Sequence, residues 1–383
     1  MKLKSIEYSQ FDGQSEEWRL EKCKLDDINL IVGRNATGKT KTLNIIGALA
    51  KLMSIIKKIN YGHGNFNIIF DNKGKEMRYI LHYKNNKVIT ERLSIGSKVL
   101  LERNSEGKGK IFTEEVQRTL DFQIPEDEVA AMAKRDKRQH PFLEDLFDWG
   151  DSLMHFRFGS ELGQNQYVIF MKNSDEIERD LDLHDTTKVA GVFRRGREYF
   201  KDEFVNLIKK DMALIGYQID DIGIDTPKSI TIKHDLFSEP MGLIVKETDL
   251  KCNTDQSSMS QGMFRALSVI IQINYSQMAR IPSCILIDDI GEGLDYDRSI
   301  SLIKLVMEKV KNTHVQLIMA TNDRFIMNNV PLQYWSIIQR QGNKSVMINR
   351  DNSPKIFDEF QSTGLSNFDF FSSKYYLGTT EEK

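Results

Sequence analysis

The segment Gly33-Arg-Asn-Ala-Thr-Gly38-Lys39-Thr40 constrains this chain more than any other. It has the form G-x-x-x-x-G-K-[ST]. It follows the apolar run Ile28-Asn-Leu-Ile-Val32 and leads into Leu43, Ile46, Leu49, Ala50, Met53 and Ile56 at helical spacing. A strand, a glycine-bearing loop and a helix in that order make a cradle for phosphate. The glycines let the main chain wrap closely, and the main-chain N–H groups and the helix N-terminus face the negative charge. The expected fold class is therefore α/β, with a phosphate-loop site. The residues expected to line it are Gly33, Arg34, Asn35, Ala36, Thr37, Gly38, Lys39, Thr40, Lys41 and Thr42. Lys39 is expected on the β- and γ-phosphates, and the Thr40 hydroxyl on Mg²⁺.

A second site is expected at Cys284-Ile-Leu-Ile-Asp288-Asp289, an apolar strand ending in two acids. Taken alone, the pair reads equally as solvated acids at the end of a buried strand. Beside an upstream phosphate loop, Asp288 stands where a strand tip holds Mg²⁺, and Asp289 where a carboxylate polarises an attacking water. Glu292 lies close by and competes for the base role; Asp289 is preferred because it adjoins the metal ligand.

The rest of the sequence sets the frame. With 383 residues, 40% of them hydrophobic and 28% charged, the chain can bury a sizeable core as one large domain or a few lobes. Its net charge of −2 does not suggest a strongly basic nucleic-acid binder. No apolar run is long enough for a bilayer, and the N-terminus alternates like a strand, so a cytoplasmic protein without membrane contact is expected. Cys23, Cys252 and Cys284 are far apart, with no CxxC spacing for zinc. Strand patterns over 2–11, 18–25 and 65–112 define a strand-rich first lobe, residues 1–112, with turns marked by Asn85-Asn86 and Gly107-Lys-Gly109. Residues 113–225 read as a mostly helical insert, with 155–158 as a strand inside it. Residues 226–383 read as an α/β second lobe, with strand patterns at 228–233 and 242–246, then helix 263–278, strand 284–287, helix 299–310 and strand 315–320. Its aromatic end, 368–376, suggests either a docking tail or a packed strand.

Further motifs resemble those of the ATP-binding-cassette ATPases. Asp288 and Asp289 lead through Ile290-Gly-Glu-Gly to Leu294-Asp295, as in that family's loop after the strand acids. Met259-Ser260-Gln261-Gly262-Met263-Phe264-Arg265 resembles its signature, Leu-Ser-x-Gly-x-x-Arg. The phosphate loop is similar to that of the RecF, SMC and OLD-type branch, and the closest likeness is to stand-alone ATPase subunits of OLD-like and Septu-like phage-defence systems. The resemblance implies a phosphate-loop NTPase head that binds ATP and Mg²⁺. It also implies a homodimer around two nucleotides, in which Ser260 and Gly262 act on the γ-phosphate held by the other copy. Three departures matter. Ala36 stands where glycine is usual, Asp289 where glutamate is usual, and Asn322 where the switch histidine is expected. The shorter acid and the uncharged amide imply slow turnover. Gln164 is the residue considered for the family's Q-loop glutamine.

The resemblance also implies a regulator whose destructive chemistry lies in a separate effector, a nuclease of an anti-phage system. The alternatives are an SMC- or RecF-like ATPase acting directly on DNA, and a self-contained ribonuclease toxin. The basic clusters Lys134-Arg-Asp-Lys-Arg138 and Arg194-Arg-Gly-Arg197 fit a DNA, RNA or partner contact, but solvated helix faces with neighbouring acids are the commoner meaning of such runs. Arg135–His140 and Arg179–His184 both fit the short Arg-x4-His ribonuclease pattern, which arises cheaply. A Toprim nuclease would need an Asp-x-Asp pair on its own sheet. Here such pairs occur only as Asp180-Leu-Asp182, in the insert, and Asp295-Tyr-Asp297, in the cassette loop.

Overall fold

In the computed structural model of the chain, the described residues are 1–160, 162–171, 185–229, 238–281 and 284–378. They divide into two compact units, Met1–Leu153 with Pro331–Lys383, and Met154–Val330. In chain order the first segment holds β1 (Lys2–Gln10), β2 (Trp18–Lys24), β3 (Ile28–Val32), α1 (Lys39–Ser54), β4 (His63–Asn72), β5 (Lys75–Lys84), β6 (Lys87–Ile95), β7 (Lys98–Arg103), β8 (Lys108–Thr113), β9 (Arg118–Gln123), α2 (Ala130–Ala133) and α3 (Pro141–Asp151). The second unit holds β10 (Met154–Arg157), β11 (Val168–Met171), α4 (Val189–Leu214), β12 (Ile219–Asp225), β13 (Ser238–Glu247), β14 (Thr254–Asp255), α5 (Gln261–Met278), β15 (Cys284–Asp288), α6 (Tyr296–Val310), β16 (Gln316–Thr321) and α7 (Arg324–Asn329). The last segment adds β17 (Trp335–Gln341), β18 (Lys344–Asn349), α8 (Pro354–Gln361) and α9 (Asn367–Ser372).

In the first unit the strand order is β3-β17-β18-β2-β1-β4-β5-β6-β7-β8-β9. The meander β4–β6 alternates as a one-faced antiparallel sheet should: Phe66, Ile68, Phe70, Met77, Tyr79 and Leu81 point into the core. Its hairpins close through two residues each. Lys73 and Gly74 (φ 55° and 82°) join β4 to β5, and Asn85 and Asn86 (φ 52° and 60°) join β5 to β6. These are the left-handed turns that match strand twist and favour Asn and Gly. β3 is buried at all five positions. α3 packs on α1 so closely at Gly150 that a Cβ there would stand 2.7 Å from the Ala50 carbonyl oxygen.

In the second unit β10, β15 and β16 are parallel, with β15 central and buried throughout. β11, β13 and β12 form a separate antiparallel sheet. α5 is buried over nearly its whole length. α4 bends at Lys201 (φ 54°, ψ −138°), which brings Phe193 to 6.0 Å from Phe204. Between the helices, Lys309 Nζ lies 2.7 Å from the Asp211 carboxylate, and the Asn274 amide donates to that carboxylate at 2.7 Å.

Three expectations differ from this arrangement. The strand expected at 155–158 is present as β10, but the stretch 113–225 is less helical than expected, since it also carries β9, β11 and β12. The strands of the expected second lobe do not stay together: β17 pairs parallel with β3, and β18 with β2, so 331–383 belongs to the first unit. The aromatic end is neither a strand nor a free tail. Phe370 is fully buried on α9, packed at 4.7 Å against Phe357 and 4.8 Å against Phe360 of α8. A capping box between Ser366 and Asp369 starts α9. The expected strand at 228–233 falls largely outside the described residues. Among the described residues no helix is long and apolar enough to cross a membrane.

Candidate functional site

The phosphate loop is built between β3 and α1 and braced by the hairpin β17–β18. A Cβ on Gly33 would meet Thr37 Oγ1 at 2.7 Å and the Ile338 carbonyl oxygen at 2.8 Å, so only glycine fits. Thr37 donates its hydroxyl to the Arg34 carbonyl (2.8 Å), and Ser345 donates its own to the Thr37 carbonyl (2.9 Å). Lys39 is buried, and its Nζ donates to the carbonyls of Gly33 (2.8 Å) and Arg34 (3.1 Å). The ammonium is thus held over the inside of the loop. Thr40 is exposed in the first turn of α1, as are Arg34, Asn35 and Ala36 in the loop, whereas Thr42 is buried and donates to the Gly38 carbonyl (2.9 Å). Lys41 lies over the Trp18 ring at 4.1 Å, and burial lowers its pKa, with Arg340 adding to the effect.

Ala36 has φ 62°, the left-handed region, which explains why glycine is usual there. That conformation costs a Cβ-bearing residue about 1–2 kcal/mol, against about 0.4–1 kcal/mol of extra unfolded-state entropy in the glycine chain. Ala36→Gly is therefore expected to stabilise the protein by about 0.5–1 kcal/mol in urea unfolding. A loss of stability would contradict the left-handed turn.

The acids of the second unit sit at the tip of β15. Asp288 is buried, level with Arg157 of β10, and its carbonyl accepts the Phe158 N–H (3.0 Å). Asp289 is half-buried at φ 54°, where a Cβ on Gly159 would lie 3.8 Å from its Oδ2. The Ile290 N–H bonds the Ala320 carbonyl (3.2 Å), which ties the following turn to β16. Glu292 is exposed; its main-chain N–H reaches the Asp289 carbonyl at 3.0 Å. Asn322 is exposed just beyond β16, and Asp323 caps α7.

The signature segment forms the start of α5. Ser260 is the N-cap, its Oγ accepting the Met263 N–H at 3.2 Å. A Cβ on Gly262 would collide with the Gly293 carbonyl oxygen, so this glycine lets α5 close onto the turn after Asp289. Arg265, buried, bridges the two loops beside it: Nη1 donates to the Glu292 carbonyl (2.8 Å) and Nη2 to the Ser160 carbonyl (3.0 Å). Gln164 is buried, and its amide donates to the carbonyls of Met259 (2.6 Å), the first residue of the signature, and Gln256 (3.2 Å), just ahead of it. Gln256 answers by donating to the Gln164 and Gln166 carbonyls at 3.0 and 2.8 Å. Sequence reasoning named Arg265 only as the arginine that closes the signature pattern and gave Gln256 no role. The signal of Gln256, a polar side chain just before an apolar helix, is shared with many surface residues.

Two arginines of the first basic cluster pair with neighbouring acids. Arg135 pairs with Glu144 at 2.7 Å and Arg138 with Glu115 at 2.7 Å. Phe193 and Phe200, beside the second cluster, pack against Phe204 of the same bent helix. His140 is buried, with Nδ1 on the Lys134 carbonyl (2.7 Å) and Nε2 facing Thr113 Oγ1 (3.5 Å), which suits a structural histidine and not a nuclease base. His184, Arg179 and the pair Asp180–Asp182 lie outside the described residues.

No family model matches the chain, and neither does any curated protein. Solved structures do. An SMC head bound to the C-terminal winged-helix domain of ScpA is 13% identical at a TM-score of 0.51, over 91% of this chain and 97% of that one. An Smc head domain with an extended coiled coil, bound to the C-terminal domain of ScpA derived from Pyrococcus furiosus, is 12% identical at a TM-score of 0.50, over 94% of this chain and 99% of that one. Likeness at this identity speaks for the architecture alone: the chain has the fold of an SMC head, the ATP-binding-cassette type of phosphate-loop fold.

Proposed function

We propose that this chain is an ATPase head that binds ATP with Mg²⁺, hydrolyses it slowly and closes as a homodimer around two nucleotides. The observation that carries this reading is the phosphate loop, with the Lys39 ammonium held over its inner carbonyls at 2.8 and 3.1 Å. A triphosphate supplies the negative charge that such a lysine and the N–H groups of α1 are arranged to meet. Thr40 and Asp288 offer a hydroxyl and a carboxylate, the hard oxygen donors that Mg²⁺ takes. An ion held there would supply neutralising charge for the phosphates; in the proposed mechanism Asp289 orients the attacking water and Asn322 hydrogen-bonds the water or the γ-phosphate. Ser260 and Gly262 act at the start of α5 on the nucleotide of the second copy.

The motif resemblance, rather than the fold, carries the next step: the head regulates a separate effector, a nuclease of an anti-phage system. Both SMC heads have a ScpA domain bound, which supports a protein partner here as well.

Complementation tests the dimer. Ser260→Arg is expected to cut hydrolysis about a hundredfold, as loss of one preorganised anion donor does, while the monomer still binds nucleotide. Mixed with Lys39→Ala, it should recover activity, because one heterodimer site keeps both groups intact. If mass spectrometry shows heterodimers and activity does not return, Ser260 does not act across an interface.

A further inference from the structure

Beside the signature serine stands an arginine that the motifs do not account for. Gly216, at φ 86°, ends α4, and the Tyr217 N–H bonds the Met212 carbonyl at 2.9 Å. Tyr217 is turned inward to 9% exposure. Its hydroxyl lies near the Ser260 side chain. The Arg298 guanidinium lies over its ring, 4.2 Å from the centroid. Arg298 Nη1 donates to the Asp295 carboxylate at 2.9 Å, and Nη2 to the Gly216 carbonyl at 3.5 Å.

The pairing with Asp295 is a weak reason to keep an arginine here. The two side chains are 40% and 53% exposed, so the pair is screened by solvent and contributes little stability. Arg298 also stands in the first turn of α6, where the helix dipole disfavours a cation. A phosphate is the better partner. It matches the planar guanidinium fork, and an aromatic ring fixes the plane of that fork.

We propose that Arg298, aligned on the ring of Tyr217, reads the terminal phosphate of the nucleotide that a second copy presents at Ser260. Arg298 then exchanges Asp295 for phosphate as the dimer closes, and Tyr217 is its positioning residue. The inference rests on the dimer reading above and adds two residues to it.

Sedimentation of the full chain with Mg²⁺ and a non-hydrolysable ATP analogue, or with ADP, is the test. Fluorescent nucleotide binding to the monomer and thermal melts serve as controls. Arg298→Ala is expected to weaken the analogue-driven dimer at least tenfold and to leave monomer binding unchanged. Arg298→Lys should not restore the dimer, because a point charge replaces the fork. Tyr217→Phe keeps the ring and should retain most of the dimer. Tyr217→Leu should lose as much as Arg298→Ala, and the double variant no more than either alone. A wild-type dimer with Arg298→Ala, alongside a monomeric Ser260→Arg, would overturn the proposal and spare the dimer reading. Strictly additive losses for Tyr217→Leu and Arg298→Ala would overturn the platform role. If the unaltered chain stays monomeric with the analogue, the dimer reading falls and this inference with it. Should Tyr217→Leu fail to fold, Arg298→Lys decides: a dimer lost as in Arg298→Ala supports the proposal, and a dimer kept by the lysine overturns the ring-aligned fork.

Discussion

Lys39→Ala is expected to bind ATP about a hundredfold more weakly than the unaltered chain, a loss of about 2.7 kcal/mol. That is the size of a charge-assisted contact removed where phosphate charge accumulates. Because Nζ also holds the Gly33 and Arg34 carbonyls, the variant's melting temperature should be measured without nucleotide first. The decisive comparison follows. Saturating Mg·ATP at about a hundred times the dissociation constant stabilises the unaltered protein by about 2.7 kcal/mol, and the variant should gain almost nothing at the same concentration. Equal affinity in both proteins by calorimetry would show that the loop is not a phosphate site.

Asp289→Asn should be nearly as damaging to turnover and harmless to binding. A general base contributes about 10²–10⁴-fold, so hydrolysis should fall by that range while ATP still binds and a nucleotide-loaded dimer accumulates. The substitution is clean in this backbone. Asp289 has φ 54°, and asparagine tolerates the left-handed region as readily as aspartate. Glu292→Gln should stay close to the unaltered rate, because Glu292 is exposed and what the fold holds is its main-chain carbonyl, through Arg265. The opposite pattern in single-turnover assays, with Glu292→Gln inactive and Asp289→Asn active, would move the base to Glu292.

Much of this architecture is written in short-range signals. The phosphate loop, β3 and α1 follow from glycine placement and helical spacing within thirty or so residues, and the Asn85-Asn86 turn from the residues that accept a positive φ. The cap at Ser260 is local in the same way. What could not be read is what arrives from far along the chain. Nothing in Trp335–Gln341 says that it will pair with Leu30, Ile31 and Val32, and β10 gives no sign that it will lie parallel to β15. The aromatic end misleads for another reason: Phe368–Tyr376 has the composition of an exposed anchor, and only the packing of Phe370 between Phe357 and Phe360 shows it to be core. Arg298 escapes notice because an arginine three residues after a capping aspartate is an ordinary helix start. Its meaning comes from Tyr217, which another part of the chain supplies.

The brace behind the phosphate loop has a consequence for how the protein is made. Ser345, which bonds the Thr37 carbonyl, lies 308 residues after it, and Ile338, against which Gly33 packs, is almost as distant. A ribosome working at about 5–20 residues per second needs about 15–60 s to cover that span. Through that interval the loop has left the tunnel with its back wall still unwritten. A nascent chain, or one cut short before β18, therefore carries the full Gly33-to-Thr40 motif without the surface that shapes it. Nucleotide affinity is therefore expected to appear only once β18 has been made, and products cut short before it are expected to be poor competitors for ATP.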